Sequence, residues 1–156
     1  MTDKPVYLTA EGKKKLEEEL EYLTTVRRHE VAEAIKSAKE EGDLSENSAY
    51  DEAKLAQGFL EGRVQTIEAQ LRNAVLIDKN GHSGKVDIGS TVTVTEDGDS
   101  DKETYQIVGS AEADPLEGKI SNESPIGQAL LGAKPGDKVK AETPGGEIEF
   151  KVLKIK

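Results

Sequence analysis

Asp43 and Glu46 are the residues of this chain best suited to chemistry. They stand three positions apart in Gly42-Asp43-Leu44-Ser45-Glu46-Asn47, so at a helix start their carboxylates can point the same way. Two convergent carboxylates at an exposed turn suit a hard divalent cation such as Mg²⁺. That ion takes oxygen ligands and is commonly held by one or two carboxylates, with substrate oxygens and water completing the shell. The same spacing fits a capping box, with Asp43 as N-cap and Glu46 at the third helical position, each satisfying a backbone N–H. Spacing by itself leaves both open, and the capping arrangement is the commoner of the two.

Other candidates carry less. Lys39 and Lys54 flank the turn from opposite sides and could approach a nucleic-acid backbone, although lysines at such positions are usually plain surface. Arg27-Arg28 could contact phosphate, but such a pair more often forms a solvated helix face. Tyr50 is expected to cap an apolar seam with its ring and give its hydroxyl to water. His82 reads as a loop residue. Pro144-Gly145-Gly146 lacks the Gly-Lys-Ser/Thr of a phosphate loop and reads as a hairpin turn.

Composition removes several classes of function. The 156 residues include 31 acidic and 21 basic side chains, for a net charge of −10. An acidic chain gains little from counterion release, which argues against free-standing duplex binding. Only 4% of residues are aromatic, so a broad base-stacking platform is not expected. The absence of cysteine excludes disulfides, thiolate-bound zinc and thiol catalysis. His29 and His82 are too far apart in sequence to favour a histidine metal site or a catalytic triad. No apolar run reaches the roughly 18 residues of a membrane span, and no apolar leader core is evident, so a cytoplasmic protein is expected.

The elements that must position these residues differ in the two halves. From Glu11 to Asp78 there is no proline, and Ala, Leu, Glu, Lys and Arg dominate, which is helix-forming composition. One stripe runs Leu16, Leu20, Leu23 and resumes at Val31, Ile35, Ala38, with a stutter at Arg27-Arg28-His29. A second runs Ala53, Gln57, Leu60, Val64, Ile67, Leu71, Ala74 in coiled-coil spacing. Gly42 should stop the first helix, and Asp43 or Ser45 should start the second. So short a link makes the arms antiparallel, about 45 Å long at 1.5 Å per residue. The rest reads as β-rich. Strands are expected over 88–94, 103–108 and 147–155, turns at Pro135-Gly136-Asp137 and Pro144-Gly145-Gly146, and a short helix capped by Ser124 and stopped at Gly132. The expected fold is α+β: a two-helix antiparallel coiled coil over 1–78 with an acidic tip, then a small antiparallel sheet covered by one helix over 79–156.

These motifs together carry a resemblance. The tip with Tyr50, then Gln57-Gly58-Phe59 and Glu61-Gly62-Arg63, resembles the bacterial Gre transcript cleavage and elongation factors. So do Leu8-Thr9-Ala10-Glu11-Gly12, Val26-Arg27-Arg28, Ser124-Pro125-Ile126-Gly127 and Thr143-Pro144-Gly145-Gly146-Glu147, in order over nearly the whole chain. The resemblance implies an FKBP-like C-terminal domain that docks on RNA polymerase at the mouth of its secondary channel. It implies a coiled coil that carries the tip to the polymerase active site. Asp43 and Glu46 match the family's tip acids, which help hold a second Mg²⁺ shared with the polymerase and position an attacking water. Lys39 and Lys54 match basic positions thought to face RNA. Arginine is frequent there, and lysine keeps the charge without bidentate phosphate recognition. Glu123, Ser124 and Pro125 lie in the segment resembling the docking surface.

The expected activity is stimulation of endonucleolytic cleavage at the 3′ end of backtracked RNA, by an accessory factor rather than an enzyme. The expected partners are bacterial RNA polymerase and the nascent RNA 3′ end, with the factor a monomer and with neither membrane nor sequence-specific DNA binding. A probe entering a positively lined channel would be steered by its own acidic charge. Two alternatives stand beside this. A channel-binding inhibitor is disfavoured by the tip sequence, because inhibitory relatives carry more acid-rich tips. The other is a coiled-coil chaperone or a prolyl isomerase, and the isomerase would need an aromatic-lined pocket, for which the second half offers only Tyr105 and Phe150.

Overall fold

A computed structural model describes residues 4–42, 46–77 and 84–156. The chain divides into two compact units, residues 13–73 and residues 1–12 with 74–156.

The first unit is a helical hairpin. Its first arm comprises α1 (Ala10–Tyr22), a π-helical turn (Leu23–Arg27) and α2 (Arg28–Glu40), and its second is α3 (Ser48–Arg72). Leu16, Val31, Ala38, Ala53, Leu60, Val64 and Ile67 are buried, all of them members of the expected stripes. Leu20, Leu23, Ile35 and Ala56 pack partly buried around Val31, Leu60 and Val64. Ala74, the last member of the expected second stripe, lies instead in a strand.

The stutter has a physical form. Extending Leu16, Leu20, Leu23 by steps of four and three reaches positions 27, 30, 34 and 37. The residues that pack, Val31, Ile35 and Ala38, each come one later than 30, 34 and 37. One residue is in excess, and a π turn absorbs one residue. It does so over Leu23–Arg27, ending on the first residue of the expected triplet, where the N–H of Arg28 reaches the carbonyl of Leu23. Threonine hydroxyls bond carbonyls beside the wider turn: Thr24 donates to Leu20 at 2.8 Å and Thr25 to Glu21 at 2.6 Å.

Two bidentate ion pairs cross between the arms. Arg63 grips Glu19 at 2.7 and 2.8 Å, and Arg28 grips Glu61 at 3.0 Å through both nitrogens. Hydrogen bonding from Arg63, with its charge, holds the Glu19 carboxyl below its ordinary pKa against a partial opposing effect of burial.

The second unit holds a parallel pair, β1 (Val6–Leu8) with β2 (Ala74–Leu76), and a five-stranded sheet. The sheet comprises β3 (Thr91–Glu96), β4 (Lys102–Val108), β5 (Lys119–Ser121), β6 (Lys138–Thr143) and β7 (Gly146–Ile155), in the order β5-β4-β3-β7-β6. The all-antiparallel expectation needs correction, because β5 runs parallel to β4. The segment between them makes two 3₁₀ turns, at Ser110–Glu112 and Pro115–Glu117, and returns the chain to run alongside in the same sense. The remaining neighbours are antiparallel, with a bulge between Thr93 and Val94 opposite β7. Pairing of β1 with β2 also moves the division of the chain. Residues on both sides of the hairpin join the sheet-bearing unit, whereas composition had put the break at 78/79.

Val92, Val94, Ile107, Phe150 and Val152 form the core, closed by Leu130 of α4 (Pro125–Leu130). Two glycines are required by close backbone approach. A Cβ on Gly109 would stand 1.9 Å from the Tyr7 carbonyl oxygen, and one on Gly127 would stand 2.0 Å from that of Ser121. At the start of α1, Thr9 caps the helix by accepting from the Gly12 N–H at 3.0 Å. Glu112 in turn accepts from the Thr9 N–H and hydroxyl, both at 2.7 Å, with its carboxylate lying where a Gly12 Cβ would be.

Two outcomes follow from these contacts. Gly109→Ala should lower stability by about 1–3 kcal/mol through overpacking against backbone, whereas Gly58→Ala, on an open helix face, should raise it by about 0.5–1 kcal/mol; urea denaturation midpoints distinguish the two. Because the folded-state pKa of Glu19 is lowered, its contribution is present above the ordinary carboxylate pKa and lost as pH falls through the lowered value. Glu19→Gln should therefore melt earlier than the parent at about pH 7 and with it at about pH 3, as followed by circular dichroism.

Candidate functional site

At the end of the first arm, α2 stops after Glu40, and Gly42 takes a φ of +126°, a conformation L side chains rarely adopt. This is the expected stop. The expected restart is corrected: α3 is capped by Asn47, not by Asp43 or Ser45. The Asn47 side-chain oxygen accepts from the Tyr50 N–H at 3.1 Å, and its own carbonyl accepts from Asp51 N–H at 3.2 Å. Asp43, Ser45 and Asn47 are all good cap formers by type. What separates them is which side chain reaches the free N–H groups of the first turn, and that depends on where the loop delivers the chain.

The cap position removes the capping-box reading for Glu46. Glu46 precedes the cap, so it is not at the third helical position and the capping-box arrangement does not form there. Its side chain belongs to an exposed residue. Asp43 lies outside the described residues, as do Leu44, Ser45 and His82. Glu40, Glu41, Asp51 and Glu52 are also exposed around the tip, which makes it strongly acidic. Among the described residues no group of three or more carboxylate or imidazole side chains gathers to hold a metal ion. An exposed carboxylate such as that of Glu46 offers hard oxygen donors of the kind Mg²⁺ takes when other ligands complete its shell.

The two basic candidates are exposed on their own arms. Lys39 lies in the last turn of α2, and Lys54 donates from Nζ to the Gln57 side-chain oxygen at 3.0 Å. The phosphate reading of Arg27-Arg28 loses ground, since Arg27 pairs with Glu30 at 3.0 Å and Arg28 with Glu61.

The segment 123–125 lies in the sheet-bearing unit. Ser124 is the N-cap of α4, accepting from the Gly127 N–H at 3.0 Å and donating to the Ser121 carbonyl at 2.7 Å. Pro125 occupies the first helical position, as expected. With the Ser124 hydroxyl committed inside the fold, Glu123 and the Pro125 ring are what this turn offers to solvent. The two aromatic rings of this half do not line a pocket of the isomerase kind. Phe150 is buried in the core, and Tyr105 meets it edge-on at 6.4 Å between ring centres. Burial, then hydrogen bonding and charge from Glu103, pushes the Tyr105 phenol up to about 12.

Comparison with known proteins covers both units. A family model described as "Transcription elongation factor, N-terminal" matches residues 6–76, and one described as "Transcription elongation factor, GreA/GreB, C-term" matches residues 81–156. The transcription elongation factor GreA of Bacillus subtilis is 60% identical over 148 residues, covering 95% of this chain and 94% of its own. That of Thermoanaerobacter pseudethanolicus is 59% identical over 154 residues, covering 98% of each. Among solved structures, GreA factor homolog 1 of Thermus thermophilus is 33% identical, with 98% of this chain and 99% of that one covered and a TM-score of 0.46. No helix among the described residues is long and apolar enough to cross a membrane. With both halves matched by its models and near-complete relatives at these identities, the chain belongs to the GreA/GreB family of transcription elongation factors.

Proposed function

We propose that this chain acts on bacterial RNA polymerase as an accessory factor that stimulates cleavage of the 3′ end of backtracked RNA, through the acids at its hairpin tip. The observation that carries the reading is Glu46: exposed, one residue ahead of the cap of α3, and therefore not used to cap that helix. In this reading the arms form an antiparallel coiled coil that enters the secondary channel. The FKBP-like sheet domain docks at the channel mouth through Glu123, Ser124 and Pro125, with Ser124 shaping the turn and its neighbours making the contact. The factor works as a cytoplasmic monomer and contributes no complete active site of its own.

Asp43 and Glu46 would offer carboxylate oxygens to the second Mg²⁺ of the polymerase and hold a water for attack on the phosphodiester. When bound, that ion stabilises charge on the attacking and leaving oxygens. Lys39 and Lys54 would offset phosphate charge along the extruded RNA as point charges, without the fork of an arginine. The net charge of −10 favours entry into a positively lined channel at low ionic strength.

Asp43→Ala and Glu46→Ala should each lower the maximal rate of RNA cleavage in a stalled, backtracked complex by about 10²-fold, the scale seen when one group stabilising transition-state charge is removed. Polymerase binding, measured by competition, should be unchanged. Full cleavage by both variants would end the proposal. Stimulated cleavage by the parent protein would also separate it from a channel-blocking inhibitor.

A further inference from the structure

We infer that Asn47 is a positioning residue for the tip: its amide joins the end of one arm to the start of the other and so sets where Glu46 points. The inference rests on the tip-acid reading above. Asn47 uses both halves of its side chain. Its oxygen accepts from the Tyr50 N–H at 3.1 Å, and its Nδ2 donates to the Ala38 carbonyl at 2.6 Å. The two partners define which way the amide faces, because an N–H needs the oxygen and a carbonyl needs the nitrogen.

The carbonyl it takes is one of those a helix end leaves without a full partner. Ala38 is two residues from the end of α2, and Glu41 N–H reaches its oxygen at only 3.4 Å. The Asn47 bond thus supplies the short contact at the first arm's terminus, from a residue nine positions away. Glu46 is bonded directly to a residue whose backbone is extended, φ −95° and ψ 93°, and whose side chain is tied at both ends.

Packing alone would orient this end poorly. The bulky part of the seam, around Val31, Leu60 and Val64, ends with Ile35 and Ala56. Nearer the tip the hollow beside the arms is lined by small side chains, Ser37, Ala38, Ala49 and Ala53, together with Glu41 and Glu52. Methyl groups let two helices approach closely but interlock little, so a directional bond has more to decide here than in the middle of the rod. Catalysis by a carried ligand is sensitive to that orientation, since a displacement of about 1 Å can cost about 10²-fold in rate.

The test separates capping from bridging. Asn47→Asp and Asn47→Ser both keep a good N-cap oxygen, and both lose the amide donor to Ala38. Asp adds a charge beside Glu46 and Ser does not, so a shared effect belongs to the lost donor. Helicity, melting midpoint and the factor concentration giving half-maximal cleavage should match the parent. The maximal cleavage rate should fall about tenfold, within the sensitivity to misplacement given above, and the Mg²⁺ concentration for half-maximal cleavage should rise. A Glu46→Ala variant is run alongside. If it loses cleavage while both Asn47 variants keep the parent's rate and Mg²⁺ dependence, the positioning role is wrong and the tip-acid reading survives. If Glu46→Ala cleaves normally, Asn47 has no catalytic acid to position and the inference is wrong, while Asp43→Ala then decides the tip-acid reading.

Discussion

The hairpin hangs together on one narrow apolar stripe from each arm, and the two stripes must stay in phase over the length of the rod. Outer faces are wet and mostly charged, with Leu55 and Phe59 also standing exposed on the second arm, and a two-helix hairpin has no third element to bury a misplaced side chain. The first arm carries one residue too many for a continuous seven-residue pattern. A regular α-helix would rotate the seam by about 100° at that point and turn Val31, Ile35 and Ala38 away from the second arm. The π turn at Leu23–Arg27 takes up the extra residue, and burial resumes one position later. Bidentate pairs Glu19–Arg63 and Arg28–Glu61 stand before and after it. Exposed pairs of this kind add little stability, but two fork-shaped contacts do restrict sliding of one arm along the other.

From this constraint follows the division of labour along the rod. Where the seam is made of Leu, Ile and Val, shape decides the fit. Where it narrows to alanine, hydrogen bonds decide it, and the chain there places a glycine stop, an asparagine cap and an exposed glutamate in close succession. The sheet-bearing unit shows the same economy in another form. Gly109 and Gly127 allow backbone to approach backbone where any side chain would collide. Glu112 closes over Gly12 to hold the Thr9 cap. Leu8-Thr9-Ala10-Glu11-Gly12, part of the family resemblance in the sequence, thereby acquires a physical role: a capping hydroxyl, and a position bare enough for a carboxylate to rest on.

Much of this was legible in the sequence where the signal is local and periodic. The two stripes, the stop at Gly42, the Ser124-Pro125 helix start and the stop near Gly132 each depend on side-chain type and spacing within a few residues. Strands with clear alternation, β3, β4 and β7, were visible for the same reason. Three-residue strands such as β1, β2 and β5 carry too few positions to show a period, and they exist because a partner distant in sequence completes their hydrogen bonds.

By itself, then, the sequence determined the helical hairpin, the β-rich second half and the family, because hydrophobic period, glycine and proline punctuation and ordered motifs are written in neighbouring residues. Tertiary structure alone decided which of three cap-forming residues starts the second arm, how the stutter is absorbed, that one sheet edge runs parallel, and that Glu112 reaches Thr9 across 103 positions of chain. Each of those outcomes is a choice among groups of equal local propensity. It is settled by which donor and acceptor the folded chain brings within about 3 Å.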